Sequence, residues 1–375
     1  MWHKTRLKKL KKGLVLSAYK NSPLIRQRMK YFLQVNELYK VEEQKLRVND
    51  SNVVGGKSEV QYSSEISWKK EKNEFGDVIL IIRIRKDGSN LEPRVEDSLG
   101  RLQALFGAEM ISKISMKNYF EIKLLYKESD YREEIDVMEE VKIDPKGSIQ
   151  LDKYHTWEYR KYPNLLLAGN VGTGKSRVLY GIIHKLLAET SENNLYICDG
   201  KNDELYELCK DYLNLSNVES DALAIGETVK HVEQIMDKRY EKKDRNVSGL
   251  FLVIDEFAAL RIALGKKEFT EVNDSLRRII LMGRAANIHI VMSLQRPETS
   301  VLDGAIRDNY PVRIGLGNLK DENFKMVFGI TKDDSIIHKE IGQGYISIND
   351  VLDSFESPWV YLPWDKEEDA EESEE

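Results

Sequence analysis

The residues best suited to chemistry form one glycine-rich stretch in the middle of the chain. Residues 168–177 read AGNVGTGKSR and fit the pattern G-x-x-x-x-G-K-[ST], with Gly169, Gly174, Lys175 and Ser176 at the fixed positions. Glycines let successive backbone N–H groups turn inward toward a polyphosphate, and a helix N-terminus adds partial positive charge. We expect Lys175 to reach the β- and γ-phosphates of ATP and the Ser176 hydroxyl to hold Mg²⁺. The predicted nucleotide-binding residues of this loop are Gly169, Asn170, Val171, Gly172, Thr173, Gly174, Lys175, Ser176 and Arg177.

A pair of acids follows a second apolar run. Residues 250–254 read LFLVI and lead directly into Asp255 and Glu256. Because parallel strands end at one edge of a sheet, these acids are expected near the loop. Asp255 would hold Mg²⁺ through its water shell, and Glu256 would orient or activate the water that attacks the γ-phosphate. The alternative is that the two acids only begin an exposed loop.

A third apolar run, residues 290–294, ends at Gln295. A polar side chain at a neighbouring strand end can hydrogen-bond the γ-phosphate and respond to its loss. The alternative interpretation is a simple strand-terminal amide.

The elements that must position these residues alternate between apolar strands and helical patterns from about residue 148 onward. Strands that are apolar throughout and alternate with helices indicate a parallel sheet covered by helices on both faces. The predicted fold class is α/β, a RecA-like P-loop core. Its predicted strands are 165–168, 195–198, 250–254, 288–294, 312–316 and 344–348, and its predicted helices are 178–187, 203–213, 227–243 and 268–286.

The residues before this core predict a small α+β domain. Its predicted elements are a helix over 22–39, a polar linker over 44–60, strands at 66–68 and 78–84, a helix over 91–106, and strands at 110–114 and 119–125. This region has no catalytic constellation, so an adaptor or oligomerisation domain and a purely structural module are equally compatible. The predicted domains are a basic arm over 1–31, the α+β domain over 32–147, the ATPase domain over 148–362 and a disordered acidic tail over 363–375.

Composition indicates a globular protein with 41% hydrophobic and 32% charged residues among 375. The sequence has neither a membrane-length apolar run nor a signal peptide, so we expect a cytoplasmic protein with two reduced cysteines. The net charge of −6 combines an acidic end with ten Lys or Arg and no acid in residues 1–30. Such an arm suits contact with nucleic acid or an anionic membrane, or it is only a solvated end.

Taken together, these stretches resemble the FtsK/SpoIIIE family of DNA-pumping ATPases, within the HerA–FtsK group. The most specific match is GRAANIHIVMSLQRPETSVLDGAIRDNYPVRIGL at 283–316, because a generic P-loop ATPase lacks that combination of motifs. The other matching stretches are NLLLAGNVGTGKS at 164–176, ICDGKNDEL at 197–205, MDKRY at 236–240 and FLVIDEFAAL at 251–260.

The resemblance implies a ring, a hexamer, that threads double-stranded DNA and hydrolyses ATP between adjacent subunits. In that ring Arg284 matches the arginine that reaches the neighbour's nucleotide, with Arg313 as the second candidate. Gln295 matches the family's polar sensor. The candidate cations for DNA phosphates are Lys201, Arg239, Lys242, Lys243 and the basic arm.

The departures from the family pattern narrow the expected role. Asp199-Gly200-Lys201 replaces the usual D-P-K, which removes no catalytic group. The membrane helices and the C-terminal winged-helix domain of chromosome-segregating members are missing from the sequence. The chain therefore resembles the short coupling ATPases of Gram-positive conjugative elements, and we expect a relaxase or a membrane-anchored transfer protein to recruit it.

The leading hypothesis is an ATP-hydrolysing DNA translocase for conjugative transfer or mobile-element maintenance. A second hypothesis is a nucleotide-gated ring that recruits a relaxase or replication protein without translocating. A third is a protein-export ATPase of the secretion type. DNA-stimulated turnover distinguishes the first from the other two.

Overall fold

The chain folds into two compact units, residues 1–131 and residues 132–375. The computed structural model describes residues 3–5, 20–45, 57–88, 91–242, 247–295, 297, 302, 304–331 and 340–365. The division lies between residues 131 and 132, whereas the change in composition predicted it between residues 147 and 148. The reason is a long-range pairing, since residues 134–136 form a strand parallel to residues 359–361 of the second unit.

The first unit is built on an antiparallel sheet of five strands in the order β1-β4-β5-β7-β6. Apolar side chains of one sheet face, among them Leu80, Ile82 and Ile122, pack in its core with Met29 and Phe32 of the first helix. The elements are β1 His3–Thr5, α1 Ile25–Val35, β2 Tyr39–Lys45, β3 Lys57–Ser63, β4 Ile66–Lys72, β5 Val78–Arg85, α2 Glu92–Ser98, α3 Arg101–Phe106, β6 Glu109–Ser115 and β7 Tyr119–Lys127.

Three predicted elements of the first unit differ from the structure. The first helix ends at Val35, because Glu37 takes a left-handed backbone with φ 51° and Tyr39 already begins β2. The predicted linker over 44–60 overlaps two strands at its ends, because β2 extends to Lys45, β3 begins at Lys57, and the two strands pair with each other. The predicted helix over 91–106 is divided into α2 and α3.

The second unit is an eight-stranded sheet in the order β13-β12-β14-β15-β11-β16-β17-β18. Pairing is parallel from β13 to β16 and antiparallel for the last two strands. The elements are β8 Glu134–Asp136, β9 Ile149–Gln150, β10 Thr156–Trp157, β11 Asn164–Gly169, α4 Lys175–Glu189, β12 Leu195–Asp199, α5 Glu204–Glu207, β13 Val218–Glu219, α6 Ala222–Lys242, β14 Leu250–Asp255, α7 Leu260–Ala263, α8 Lys266–Met282, β15 Ile288–Leu294, α9 Gly304–Arg307, β16 Val312–Leu316, α10 Asp321–Phe328, β17 Gln343–Ile348, β18 Val351–Glu356 and β19 Trp359–Tyr361.

Both faces of this sheet are covered, which confirms the predicted α/β class. Side chains of α6 and α8 form a core on one face, and side chains of α4 form a core on the other. The central strands β11, β14 and β15 are buried along their whole length. Because these three parallel strands are neighbours, the residues at their carboxyl ends are brought to one edge.

Candidate active site

The glycine-rich loop connects β11 to α4, as the motif predicts. Gly172 and Gly174 both have positive φ, 80° and 87°. A Cβ on Gly174 would lie 2.8 Å from Ile341 Cγ2, so there is no space for a side chain at this position. Its positive φ also favours glycine over other residues. Thr173 Oγ1 donates to the Asn170 carbonyl at 2.7 Å and closes the loop on itself. The result is a fixed cradle at the N-terminus of a 15-residue helix, which is a site suited to an anion.

Lys175 joins the two predicted halves of the site. Its ammonium Nζ donates to Asp255 Oδ1 at 2.6 Å and to Ser293 Oγ at 2.6 Å, and the residue is 5% exposed. A buried ammonium is stable only when it is paired and hydrogen-bonded. Asp255, at the end of β14, therefore contacts the lysine of the glycine-rich loop, as the sequence predicts.

Ser293 is a residue of this site that the sequence reasoning missed. It is fully buried on β15, opposite Asp255 on one side and Leu167 of β11 on the other. Its hydroxyl is thus placed between the loop and the acid. A single serine inside the apolar run IHIVMSL was the available signal, because a buried hydroxyl needs a partner.

Glu256 lies at the rim of the site with a left-handed backbone, φ 50° and ψ 54°. Its N–H donates to the Ser293 carbonyl at 2.9 Å, and its Oε2 accepts the Gln295 N–H at 2.7 Å. A non-glycine residue in this conformation costs about 1–3 kcal/mol and occurs mostly at functional sites. The backbone turn directs the two acids differently, with Asp255 toward Lys175 and Glu256 toward the ends of β12 and β15.

The donor set fits the magnesium ion that the motif implies. Ser176 lies in the first turn of α4, and within the described residues its hydroxyl makes no hydrogen bond. Asp255 supplies a carboxylate, and Mg²⁺ prefers oxygen ligands completed by water and phosphate. The described parts of the chain contain no group of three or more His, Cys, Asp or Glu side chains that could hold a metal ion. A metal ion at this site would therefore need ligands from water and phosphate.

Two other predicted residues lie near the loop but differ in their contacts. Gln295 is partly buried at the end of β15, where Glu256 holds its N–H. Arg177, which was predicted to bind nucleotide, points its guanidinium away, because both terminal nitrogens pair with Asp365 at 2.6 Å. The nitrogen Nη1 also donates to the Val360 carbonyl at 2.7 Å. Only the main chain of Arg177 is left for the loop.

Arg284 lies far from the nucleotide residues of its own chain. It is exposed in the 3₁₀ turn Gly283–Ala286 at the amino end of β15, whereas the site is at the carboxyl end. Seven strand residues separate these ends by about 20 Å. Its guanidinium makes no hydrogen bond or ion pair with any described residue. Within the described residues, no intrachain salt bridge therefore holds Arg284 in place.

Arg313 is a correction to the sequence interpretation. The second candidate for a residue acting on a neighbour is 4% exposed and lies within β16. Its Nε donates to the Tyr310 carbonyl at 2.7 Å, its Nη2 lies 3.1 Å from Asp350 Oδ1, and burial lowers its pKa. An arginine that is committed inside its own subunit cannot reach another one, so Arg313 stabilises the sheet.

The candidate DNA cations that the structure describes differ in their contacts. Lys201 Nζ lies 3.6 Å from Glu256 Oε2, beside the acid pair. Arg239 donates to the carbonyls of Ala286 and Asn287 at 2.8 and 3.1 Å. Lys242 is exposed at the end of α6, while Lys243 and most of the basic arm lie outside the described residues.

None of the helices that the structure describes has the length and apolar character needed to cross a bilayer.

Comparison with known proteins finds relatives that carry an FtsK domain. Residues 138–248 match the model of the FtsK/SpoIIIE family. The FtsK domain-containing protein YdcQ of Bacillus subtilis is 27% identical over 368 residues, covering 94% of this chain and 73% of YdcQ. The DNA translocase FtsK of Staphylococcus epidermidis is 27% identical over 312 residues, and the match covers 75% of this chain but only 36% of that protein.

A solved structure supports the fold. The pCW3 conjugation coupling protein TcpA, in a monomer form with ATPγS, superposes with a TM-score of 0.53 at 21% identity, covering 80% of this chain and 90% of that chain. The predicted P-loop ATPase fold is confirmed by this likeness, and the predicted resemblance to the FtsK/SpoIIIE family is confirmed by the family model over residues 138–248. The conjugative setting, the ring and the roles of individual residues remain predictions.

Proposed function

We propose that this chain, an ATPase of the FtsK/SpoIIIE family, is a motor that uses ATP hydrolysis to pump double-stranded DNA. One observation carries the proposal. Lys175 of the glycine-rich loop is bound by Asp255 and Ser293, with Glu256 beside them, inside a family whose curated relatives are named DNA translocases. This is the arrangement that phosphoryl transfer needs, a fixed cation, an acid for the metal and an acid for water.

The chain's own residues divide the work by position. Bound ATP would supply the phosphoryl group, and bound Mg²⁺ would supply positive charge to its oxygens. Lys175 must then leave Asp255 and turn toward phosphate, which releases the Asp255 carboxylate for the metal side of the site. Glu256, at the rim, is placed to accept a proton from water. Ser176 adds a hydroxyl ligand from the first turn of α4.

The setting that we propose is conjugative transfer or maintenance of a mobile element. The similarity to TcpA, described as a conjugation coupling protein, supports this setting. In this role the chain works in the cytoplasm and meets a relaxase or a membrane-anchored transfer protein. The first unit, which carries no candidate active site, is the part that we assign to this contact.

The motor is proposed to act as a homo-oligomeric ring, a hexamer, with Arg284 completing the site of the next subunit. The position of Arg284 supports this, because it is exposed and about 20 Å of strand separates it from its own site. A guanidinium supplied by a neighbour stabilises charge on the transferring phosphoryl group. Hydrolysis is thereby tied to assembly.

We expect an Arg284→Ala chain and a Lys175→Ala chain to be inactive alone and partly active when mixed. The Arg284→Ala subunit keeps its own loop, and its neighbour supplies the arginine, so random mixing restores about a quarter of the interfaces. Steady-state phosphate release measures this rescue. Arg278→Ala is the matched control, because that exposed arginine pairs within its chain with Asp237 and Glu233, and it should be active alone. Absence of rescue at every mixing ratio would remove Arg284 from the neighbouring site.

The test of the proposed function is ATP turnover with no DNA, with single-stranded DNA and with long duplex DNA, at low and moderate salt. We expect duplex to stimulate turnover strongly and the stimulation to weaken with salt, because a motor holds DNA by phosphate contacts. Turnover that duplex leaves unchanged, in a protein that assembles with ATP, would favour the nucleotide-gated ring. Binding of a protein substrate without DNA binding would favour an export ATPase.

A further inference from the structure

The segment between β12 and α5 is organised by one buried carboxylate. Asp199, the last residue of β12, is fully buried. It accepts the backbone N–H groups of Lys201 at 3.0 Å, Asp203 at 2.7 Å and Tyr206 at 3.1 Å. Three charge-assisted hydrogen bonds to one side chain fix the path of residues 200–206. The backbone of Lys201 is therefore held in one place.

Gly200 places this segment against the acid pair. Its N–H donates to the Asp255 carbonyl at 2.9 Å. A Cβ at position 200 would lie 2.6 Å from the Glu256 carbonyl oxygen and 2.8 Å from the Asp255 carbonyl oxygen. Because these are backbone atoms of buried residues, they cannot move aside cheaply. Glycine at this position lets the segment approach the acids directly.

Lys201 then meets the carboxylate of Glu256. The two side chains are 26% and 11% exposed, and Lys201 Nζ lies 3.6 Å from Glu256 Oε2. The same oxygen accepts the Gln295 N–H at 2.7 Å. The carboxylate is thus held between the end of β12 and the end of β15. Both contacts are made by the same carboxylate oxygen, Oε2.

We propose that Lys201 is a positioning residue that restrains Glu256 and keeps the turnover of the resting enzyme low. This rests on the proposed role of Glu256 in activating water. A carboxylate held between an ammonium and a backbone N–H is less free to turn toward the reacting water. Turnover therefore requires the Lys201–Glu256 pair to open. Lys201 acts through Glu256 and does not touch the nucleotide.

The test is steady-state ATP hydrolysis without DNA by the full chain and its Lys201→Met variant. Methionine keeps much of the length and removes the charge. We expect kcat to rise by about 2- to 5-fold, which is what an ion pair between partly exposed groups can supply. KM for ATP should stay within about 2-fold, because Lys201 lies on the Glu256 side of the site and not in the loop.

Two further variants make the result specific. Lys201→Arg keeps the positive charge and should restore the low wild-type kcat. Lys210→Met is the matched control, since this partly buried lysine of the following segment has its one side-chain hydrogen bond within the described residues to the Ser216 carbonyl, at 3.5 Å, and it should leave kcat unchanged. A kcat that is unchanged or lower in Lys201→Met, or equally raised in Lys210→Met, would overturn the restraint. This experiment measures turnover without DNA, so its result does not depend on the proposed DNA motor. The motor proposal is tested separately, by whether duplex DNA stimulates turnover.

Discussion

Lys175→Ala should lower ATP turnover by at least about 100-fold and weaken ATP binding, because a fixed charge of this kind contributes on that scale. The ammonium already lies in the centre of the site, 2.6 Å from both Asp255 and Ser293. It has only to exchange these oxygens for phosphate oxygens. Calorimetric titration with ATP and steady-state phosphate release measure the two effects separately.

A stability control is needed, because Lys175 also neutralises a buried carboxylate. Removing one member of a buried pair costs about 3–5 kcal/mol, so Lys175→Ala should also lower the melting temperature. Lys185→Ala is the matched control. Lys185 lies on the same helix, is 15% exposed, and donates to Glu133 and to the Gln150 carbonyl away from the loop. It should lose stability but keep turnover. Normal turnover in Lys175→Ala, or an equal loss in folded Lys185→Ala, would exclude the proposed site.

The parts of the site that the sequence predicted are those in which one local stretch determines the structure. The glycines and Lys175 lie within ten consecutive residues, and their spacing specifies a strand, a loop and a helix start. Asp255 and Glu256 directly follow a continuous apolar run that forms β14 with every residue buried. Parallel pairing then brings the loop and the acids to one edge, so no further information was required to place them together.

The parts that were missed depend on which strands are neighbours. Ser293 belongs to the site only because β15 lies between β11 and β14, and residue spacing does not specify strand order. For the same reason the segment from Arg132 to Gly147 was assigned to the first domain, although Ile135 pairs with Val360 in the second. β18 was not predicted because its residues are mostly exposed and lack a clear apolar alternation.

Arginines were the least predictable residues, because a motif identifies the residue type but not the direction of a long side chain. Arg313 matched a family stretch yet is buried against Tyr310 and Asp350. Arg177 follows the loop directly yet pairs with Asp365, a residue assigned to the acidic tail. Of these three arginines, Arg284 is the one that is exposed and makes no hydrogen bond or ion pair with a described residue.

Glu256→Gln should leave ATP binding intact and lower turnover by about 100-fold or more, within the range that a positioned general base contributes. Glutamine has nearly the same shape, and its amide oxygen can still accept the Gln295 N–H that Glu256 Oε2 now accepts at 2.7 Å. What it loses is the negative charge that attracts a proton from water. The variant should therefore hold ATP, and duplex DNA should not restore its turnover.

The control for this prediction is a second buried glutamate in the same unit. Glu189 is 4% exposed and accepts the N–H groups of Lys146 and Gly147 and the Tyr159 hydroxyl, at the far end of α4. Glu189→Gln should lower stability, because it weakens charge-assisted hydrogen bonds, and leave kcat nearly unchanged. If Glu256→Gln instead lost ATP binding while Glu189→Gln kept it, the left-handed turn at Glu256 would serve to hold the loop and the β15 end in place. The base would then have to be another group.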